Sequence, residues 1–172
     1  MMTAHNGEGE LSMTVTAEEF KGAMSRVAAT VTIVTAPTDQ GPVGLTVSAF
    51  MSVSADPAIV LVCIDKATAS LQPMLDADGF TVNVMPEGTE EDSMRFATHG
   101  ADKFGATEWS EPSTRGAGPV LLSALESLEC LTIARTEMGD HWVIYGEVDV
   151  ITVTDPDASP LIWRGRGFVK VT

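Results

Sequence analysis

Two runs of about a dozen residues, Leu125 to Thr136 and His141 to Thr152, stand on either side of Met138-Gly139-Asp140. Both are rich in Leu, Ile, Val and Thr and read as strands, whose side chains alternate between faces, rather than as helices, whose apolar residues return every three or four positions. Glycine followed by aspartate is turn chemistry, so the pair reads as a long antiparallel hairpin. A third strand candidate spans Ile162 to Val171.

The earlier part of the chain adds shorter pieces of the same kind. Thr30 to Thr35 alternates threonine with β-branched apolar residues, and PTDQGP at 37–42 carries a turn. Val43 to Val53 reads as one strand with small hydroxyls along it, and Asp56-Pro57 closes it. Ala58 to Ile64 is continuously apolar, which predicts a strand buried on both faces, and Phe80 to Met85 predicts another.

Helices are few and short. Thr16 and Glu19 form a capping box ahead of Phe20, Ala23, Met24 and Val27, which share one helical face. Ser70 is placed to cap a second helix, with Pro73 in its first turn and Gly79 at its end, and Thr89 with Asp92 opens a third that runs to Phe96. A glycine-rich loop follows as far as Pro119, and its length of about 20 residues marks it as a functional candidate. Residues 1–13 lack periodicity and are expected to be a disordered tail, with one domain over 14–172. Evenly spaced strands with so little helix predict a mainly β protein, an antiparallel barrel rather than a doubly wound parallel sheet.

Charge narrows the partners. The chain carries 24 acidic and 10 basic side chains, a net charge of −14, so nucleic acid and anionic membranes are expected to be repelled. A small phosphate-bearing ligand remains compatible, because local cations and backbone amides outweigh a diffuse field at short range. The two cysteines, Cys63 and Cys130, fit no metal-ligand spacing and read as free thiols. No apolar run reaches the roughly 18 residues of a membrane span, and MMTAHNGEGEL lacks the basic start and apolar core of a leader, so a cytoplasmic location is expected.

No GxGxxG, P-loop, GxSxG or HExxH pattern is present. What remains is a set of small hydroxyls, Thr46, Ser48 and Ser52, spaced to share one strand face. Two readings are open: an exposed face decorated with hydroxyls, or a slot in which short side chains let a flat ring approach. Lys66 beside Ser70 is either a solvated loop charge next to a helix cap or a place where positive potential gathers for a phosphate.

The stretch GLTVSAFMSVSADPAIVLVCIDKATAS at 44–70 resembles the signature of the short-chain flavin reductases, the reductase components of two-component monooxygenases. The resemblance continues through FTVNVM at 80–85, SMRFA at 93–97, DKF at 102–104, LECLTIARTEMGDHWVIYGEV at 128–148 and PLIWRGRGF at 160–168. Ala58 stands where the family commonly has a second proline.

The resemblance implies an FMN-binding split barrel with a few short flanking helices, usually a homodimer with flavin near the subunit interface. It implies an NAD(P)H:flavin oxidoreductase that passes a hydride from NADH or NADPH to FMN or FAD and supplies a separate monooxygenase by diffusion. Carried over residue by residue, Thr46, Val47, Ser48 and Ser52 match the isoalloxazine pocket. Cys63, Asp65, Lys66 and Ser70 match the strand end and loop that hold the ribityl chain and phosphate, and Asn83 matches a pocket-lining position. His141, in the GDH triplet, matches the residue near the nicotinamide, where orienting a ring is the chemistry required because hydride transfer needs no protein nucleophile. His5 and His99 read as peripheral. Arg164 and Arg166 are open between a cofactor phosphate and the chain's own carboxylates, and Trp109, Trp142 and Trp163 between core and dimer interface. The rival readings are another oxidase on a similar barrel, of the pyridoxamine-phosphate or deazaflavin kind, and a flavin carrier with no nicotinamide site.

Overall fold

The computed structural model describes residues 15–171. The expected tail over 1–13, His5 included, lies outside the described residues. The chain begins with α1 (Ala17–Met24), then β1 (Ala29–Thr30), β2 (Thr32–Ala36), β3 (Val43–Val47), β4 (Phe50–Ala55) and β5 (Ala58–Asp65). Next come α2 (Leu71–Asp76), β6 (Gly79–Val84), α3 (Glu90–Ala97), β7 (Trp109–Ser110) and β8 (Val120–Leu121). The long hairpin is β9 (Glu126–Met138) and β10 (His141–Val153), and a short one, β11 (Ile162–Arg164) and β12 (Gly167–Val169), ends the fold. Among the described residues no helix is long and apolar enough to cross a membrane.

Seven strands form one antiparallel sheet in the order β3-β2-β6-β9-β10-β5-β4. Its two edges, β3 and β4, are separated in the chain by Ser48 and Ala49 alone. So short a connection forces the edges together and curls the sheet into a barrel with a seam between them. Hydrogen bonds hold the segment beside its neighbours: the Thr32 hydroxyl donates to the Val47 carbonyl at 2.7 Å, and the Cys63 amide to the Ala49 carbonyl at 2.9 Å. Register shifts on β9 and β10, one at Tyr145/Gly146, add the bulges that bend a long hairpin around a barrel.

Val34, Val62, Val82, Cys130 and Ile144 fill the barrel and are almost wholly buried. A second cluster outside it joins Val31, Ile33, Met85, Phe96, Leu121 and Leu161, with Phe104, Trp109, Trp163 and Phe168 packed against it. Each fully buried aliphatic or aromatic side chain contributes about 1.5–3 kcal/mol by leaving water, which fixes the walls on which the site rests.

Several expected elements differ in ways that matter. The run over 43–53 is two strands, so Thr46 lies on one sheet edge and Ser52 on the other, and they do not share a strand face. Strand β5 buries Val60, Val62 and Ile64 but leaves Ile59, Leu61 and Cys63 half-buried, so one face is more open than a continuous apolar run implies. The segment 162–171 folds back on itself at Gly165-Arg166. Gly79 opens β6 instead of ending α2, whose C-cap is Ala77. The capping box of α1 forms, yet Phe20, Met24 and Val27 remain 59%, 48% and 55% exposed within the single chain.

Candidate active site

A cavity of about 520 Å³ opens where β3, the loop after β5 and the end of α3 meet. Leu45 and Thr46 come from β3, Ala67 to Ser70 from the loop, and Phe96 to Thr98 from α3 and its cap; His99, Gly100 and Lys103 close the remaining side. The volume lies in the range of small-molecule sites, with an apolar wall and a few convergent polar groups. A larger depression of about 830 Å³, between the β2–β3 turn and α2, has Asp39, Asp76 and Asp78 on its lining and no cation. That lining is wrong for a phosphate, so the smaller cavity is the better candidate.

The geometry of the smaller cavity is set by contacts across sequence-distant segments. The Thr46 hydroxyl donates to the Ser93 carbonyl at 2.6 Å, binding the strand edge to α3 and leaving the hydroxyl oxygen to accept. Phe96 is 1% exposed and meets Phe104 edge to face, with ring centroids 5.2 Å apart. Gly44 makes that wall possible, since a Cβ there would stand 2.7 Å from the Phe96 ring. Lys103 reaches back to donate to the Gly44 carbonyl at 2.8 Å, and its partial burial lowers its pKa from the ordinary lysine value. Ser70 sits at the N-cap of α2 as expected, but its side chain makes no capping bond. Its hydroxyl is thus available to a ligand.

Of the residues singled out by sequence, Thr46 and Ser70 line this cavity together. His141, Asp65 and Lys66 gather at the tip of the β9–β10 hairpin, at the other end of the loop that leads to Ser70. His141 is the strand partner of Asp65, and its Nδ1 lies 2.7 Å from Asp140 Oδ1. That hydrogen bond, chiefly, holds the Asp140 carboxyl below its usual range, leaving the other imidazole nitrogen for a substrate. The Asp65 carboxylate accepts from the Ala67 amide at 2.8 Å and shapes the loop.

The remaining residues take other places. Lys66 is not among the residues lining the cavity: its ammonium donates to Glu137 at 2.5 Å and to the Gly139 carbonyl at 2.6 Å, clasping the hairpin turn. Asn83 is wholly buried, donating to the Ile33 carbonyl and accepting from the Leu121 amide and the Ser127 hydroxyl. Its amide joins β2, β6, β8 and β9 and has no surface to offer a ligand, which corrects the pocket-lining assignment. Val47 is buried in the barrel core, whereas Ser48 at the seam and Ser52 on β4 are exposed. Cys63 is half-buried, and burial raises its thiol pKa, which suits packing over redox work.

Sequence reasoning missed Phe96, Thr98, Lys103 and His99, the last of which lines the cavity instead of standing apart. The signal was present in the SMRFA and DKF stretches, but nothing in the spacing of Lys103 and Gly44 indicates that they touch.

A phosphate-bearing planar ligand matches this donor set: a cation at Lys103, an uncommitted hydroxyl at Ser70 and an apolar wall at Phe96. Comparison with known proteins agrees. Residues 24–172 match the flavin reductase like domain family, and the chain belongs to it. It is 39% identical over 154 residues to the actinorhodin polyketide dimerase of Streptomyces coelicolor, covering 88% of this chain and 85% of that protein. It is 34% identical over 158 residues to the flavin reductase (NADH) of Kitasatospora aureofaciens, covering 91% and 82%. Among solved structures, the NADH:FAD oxidoreductase of Streptomyces globisporus superposes with a TM-score of 0.84 at 30% identity, covering 90% of this chain and 92% of that one. The mainly β architecture is thus that of the flavin reductases, and the chain is an oxidoreductase of that class.

Proposed function

We propose that this protein oxidises NADH or NADPH with FMN or FAD as the acceptor, in the cavity between β3, the 66–70 loop and α3. The reduced flavin then leaves to serve a separate flavin-dependent monooxygenase. The observation that carries the reading is the convergence of Thr46, Ser70 and Lys103, from three separate parts of the chain, on one cavity of suitable size. The two rings supply the redox chemistry when stacked: a hydride passes from the dihydronicotinamide to the flavin, and a proton from solvent completes the reduction.

The protein's own part is positional. Lys103 and Ser70 hold phosphate and ribityl oxygens, and Thr46, its proton committed to Ser93, accepts from a ring N–H. The wall at Phe96 excludes water from one side. His141, fixed by Asp140, orients the nicotinamide so that the rings meet in a reactive geometry.

The functional unit is a homodimer in the cytoplasm. The exposed apolar side chains of α1, together with Met51 and Val53 on β4, Leu131 and Ile133 on β9 and Ile151 and Val153 on β10, are the surfaces such a unit would cover. Sedimentation at micromolar concentration is expected to give twice the chain mass. Purified protein is expected to oxidise NADH or NADPH only when FMN or FAD is added. A firmly bound yellow cofactor without such turnover would instead favour a flavin carrier.

A further inference from the structure

The His141 side chain is 40% exposed, and among the described residues its imidazole has one hydrogen-bond partner, Asp140, which is itself 83% exposed. Where the ring stands therefore depends on where the Gly139-Asp140 turn stands. Gly139 takes a φ of +57° there, turning the chain between Met138 and His141. Within the chain, little packing fixes this turn. Strand β6 pairs with β9 only as far as Gly79 opposite Leu131, and Ile133 to Met138 are all exposed. Arg135 ties the stem of the hairpin by donating to the Ala77 carbonyl at 2.6 Å, but the turn lies beyond it. On the other side, β5 accompanies β10 up to Asp65 opposite His141 and ends there. The backbone of His141 is held by that pairing, whereas Gly139 and Asp140 project past it.

Lys66, the next residue after β5, reaches over them. Its amide donates to the Asp140 carbonyl at 3.0 Å, and its ammonium to the Gly139 carbonyl at 2.6 Å and the Glu137 carboxylate at 2.5 Å. An ion pair as exposed as Lys66–Glu137 contributes little to global stability, so the effect of the clasp is local, on the position of the turn. The same residue also begins the loop of the flavin cavity, since the chain runs from it through Ala67, Thr68 and Ala69 to Ser70, all of which line that cavity. The Asp65 carboxylate accepts from the Ala67 amide at 2.8 Å and the Asp65 carbonyl from the Thr68 amide at 3.0 Å. The loop thus leaves the clasp as a tight turn, and one short segment joins the cavity wall to the turn beside His141.

We infer that Lys66 is a positioning residue for hydride transfer: it fixes the Gly139-Asp140 turn, and through Asp140 the His141 imidazole, in place relative to the flavin cavity. This rests on the function proposed above and adds to it a residue that touches neither substrate. Hydride transfer needs the reacting atoms about 3–3.5 Å apart, and a misplacement of about 1 Å can cost about 100-fold. Loss of the clasp costs less than that, because the pairing with β5 still holds the His141 backbone.

The test is a double-mutant cycle of Lys66→Ala and His141→Ala, read as kcat/KM for whichever of NADH and NADPH the wild type oxidises faster, with the flavin KM measured beside it. Lys66→Ala alone is expected to lower kcat/KM about fivefold, with the flavin KM within twofold of wild type. Its Tm is expected to stay within about 2 °C, as for a surface substitution, which removes misfolding as an explanation. In the His141→Ala background the same substitution is expected to change kcat/KM less than twofold, because no imidazole is left to place. An equal loss in both backgrounds, the signature of a general structural role, would overturn the inference. So would an unchanged kcat/KM in Lys66→Ala, or a raised flavin KM, which would make the lysine a flavin ligand; each of these leaves the reductase function standing. A wild-type protein that oxidises neither donor would overturn the function and the inference with it.

Discussion

Replacing Gly44 with alanine tests the architecture of the cavity wall. The added Cβ would stand 2.7 and 2.9 Å from two atoms of the Phe96 ring and 3.3 Å from Phe104. Carbon atoms rest comfortably at about 3.5–4.0 Å, so the ring must retreat by roughly 1 Å. Phe96 is 1% exposed and packed among Val31, Ile33, Met85 and Leu161, so there is no space for it to enter. Overpacking of this kind costs about 1–3 kcal/mol, against which the better strand propensity of alanine returns about 0.5–1 kcal/mol. A net loss of about 1–2 kcal/mol is expected, or a fall in Tm of about 2–8 °C for a chain of this length. Because the ring also forms the cavity wall, flavin affinity is expected to fall with stability. Urea unfolding and a flavin fluorescence titration measure the two effects. Gly44→Ala with an unchanged midpoint and unchanged flavin affinity would refute the packing argument.

Other perturbations separate the roles of individual side chains. Lys103→Met keeps the aliphatic stem and removes the charge; flavin Kd is expected to rise about tenfold, read by the same fluorescence titration. Since burial holds the Lys103 pKa below the ordinary 10.5, its charge is lost earlier than usual as pH rises, so wild-type affinity for FMN is expected to weaken on the alkaline side before 10.5 and that of Lys103→Met is not. Lys66→Ala breaks the clasp on the hairpin turn and is expected to speed amide exchange at Gly139 and Asp140 while leaving flavin Kd within twofold. His141→Ala is expected to lower kcat/KM for the nicotinamide on the order of tenfold with flavin affinity intact; loss of flavin affinity alone would remove His141 from its orienting role.

Local signals carried most of the strands and fewer of the contacts. The β9–β10 hairpin was legible because its apolar residues run long and its turn residues are unambiguous. The break between β3 and β4 was not, because the alternation from Val43 to Val53 continues through Ser48 and Ala49, where the chain passes from one sheet edge to the other. That crossing separates Thr46 from Ser52 and also brings the two sheet edges side by side. Lys66 and Ser70 are neighbours in sequence, yet the hairpin turn captures the lysine and only the serine lines the cavity. Asn83 reads as a polar residue in a pocket because spacing does not distinguish a ligand contact from a buried amide that joins four strands. Lys103 belongs to the site through a contact with Gly44, 59 residues earlier in the chain, and only folding brings them together.

The central claim is that flavin occupies the cavity shared by Ser70 and Lys103. The most direct measurement is the flavin KM of a Ser70→Ala/Lys103→Met double variant, taken beside its KM for NADH. A large rise in the first with little change in the second is the predicted result; turnover at the wild-type flavin KM would place the flavin elsewhere on the barrel.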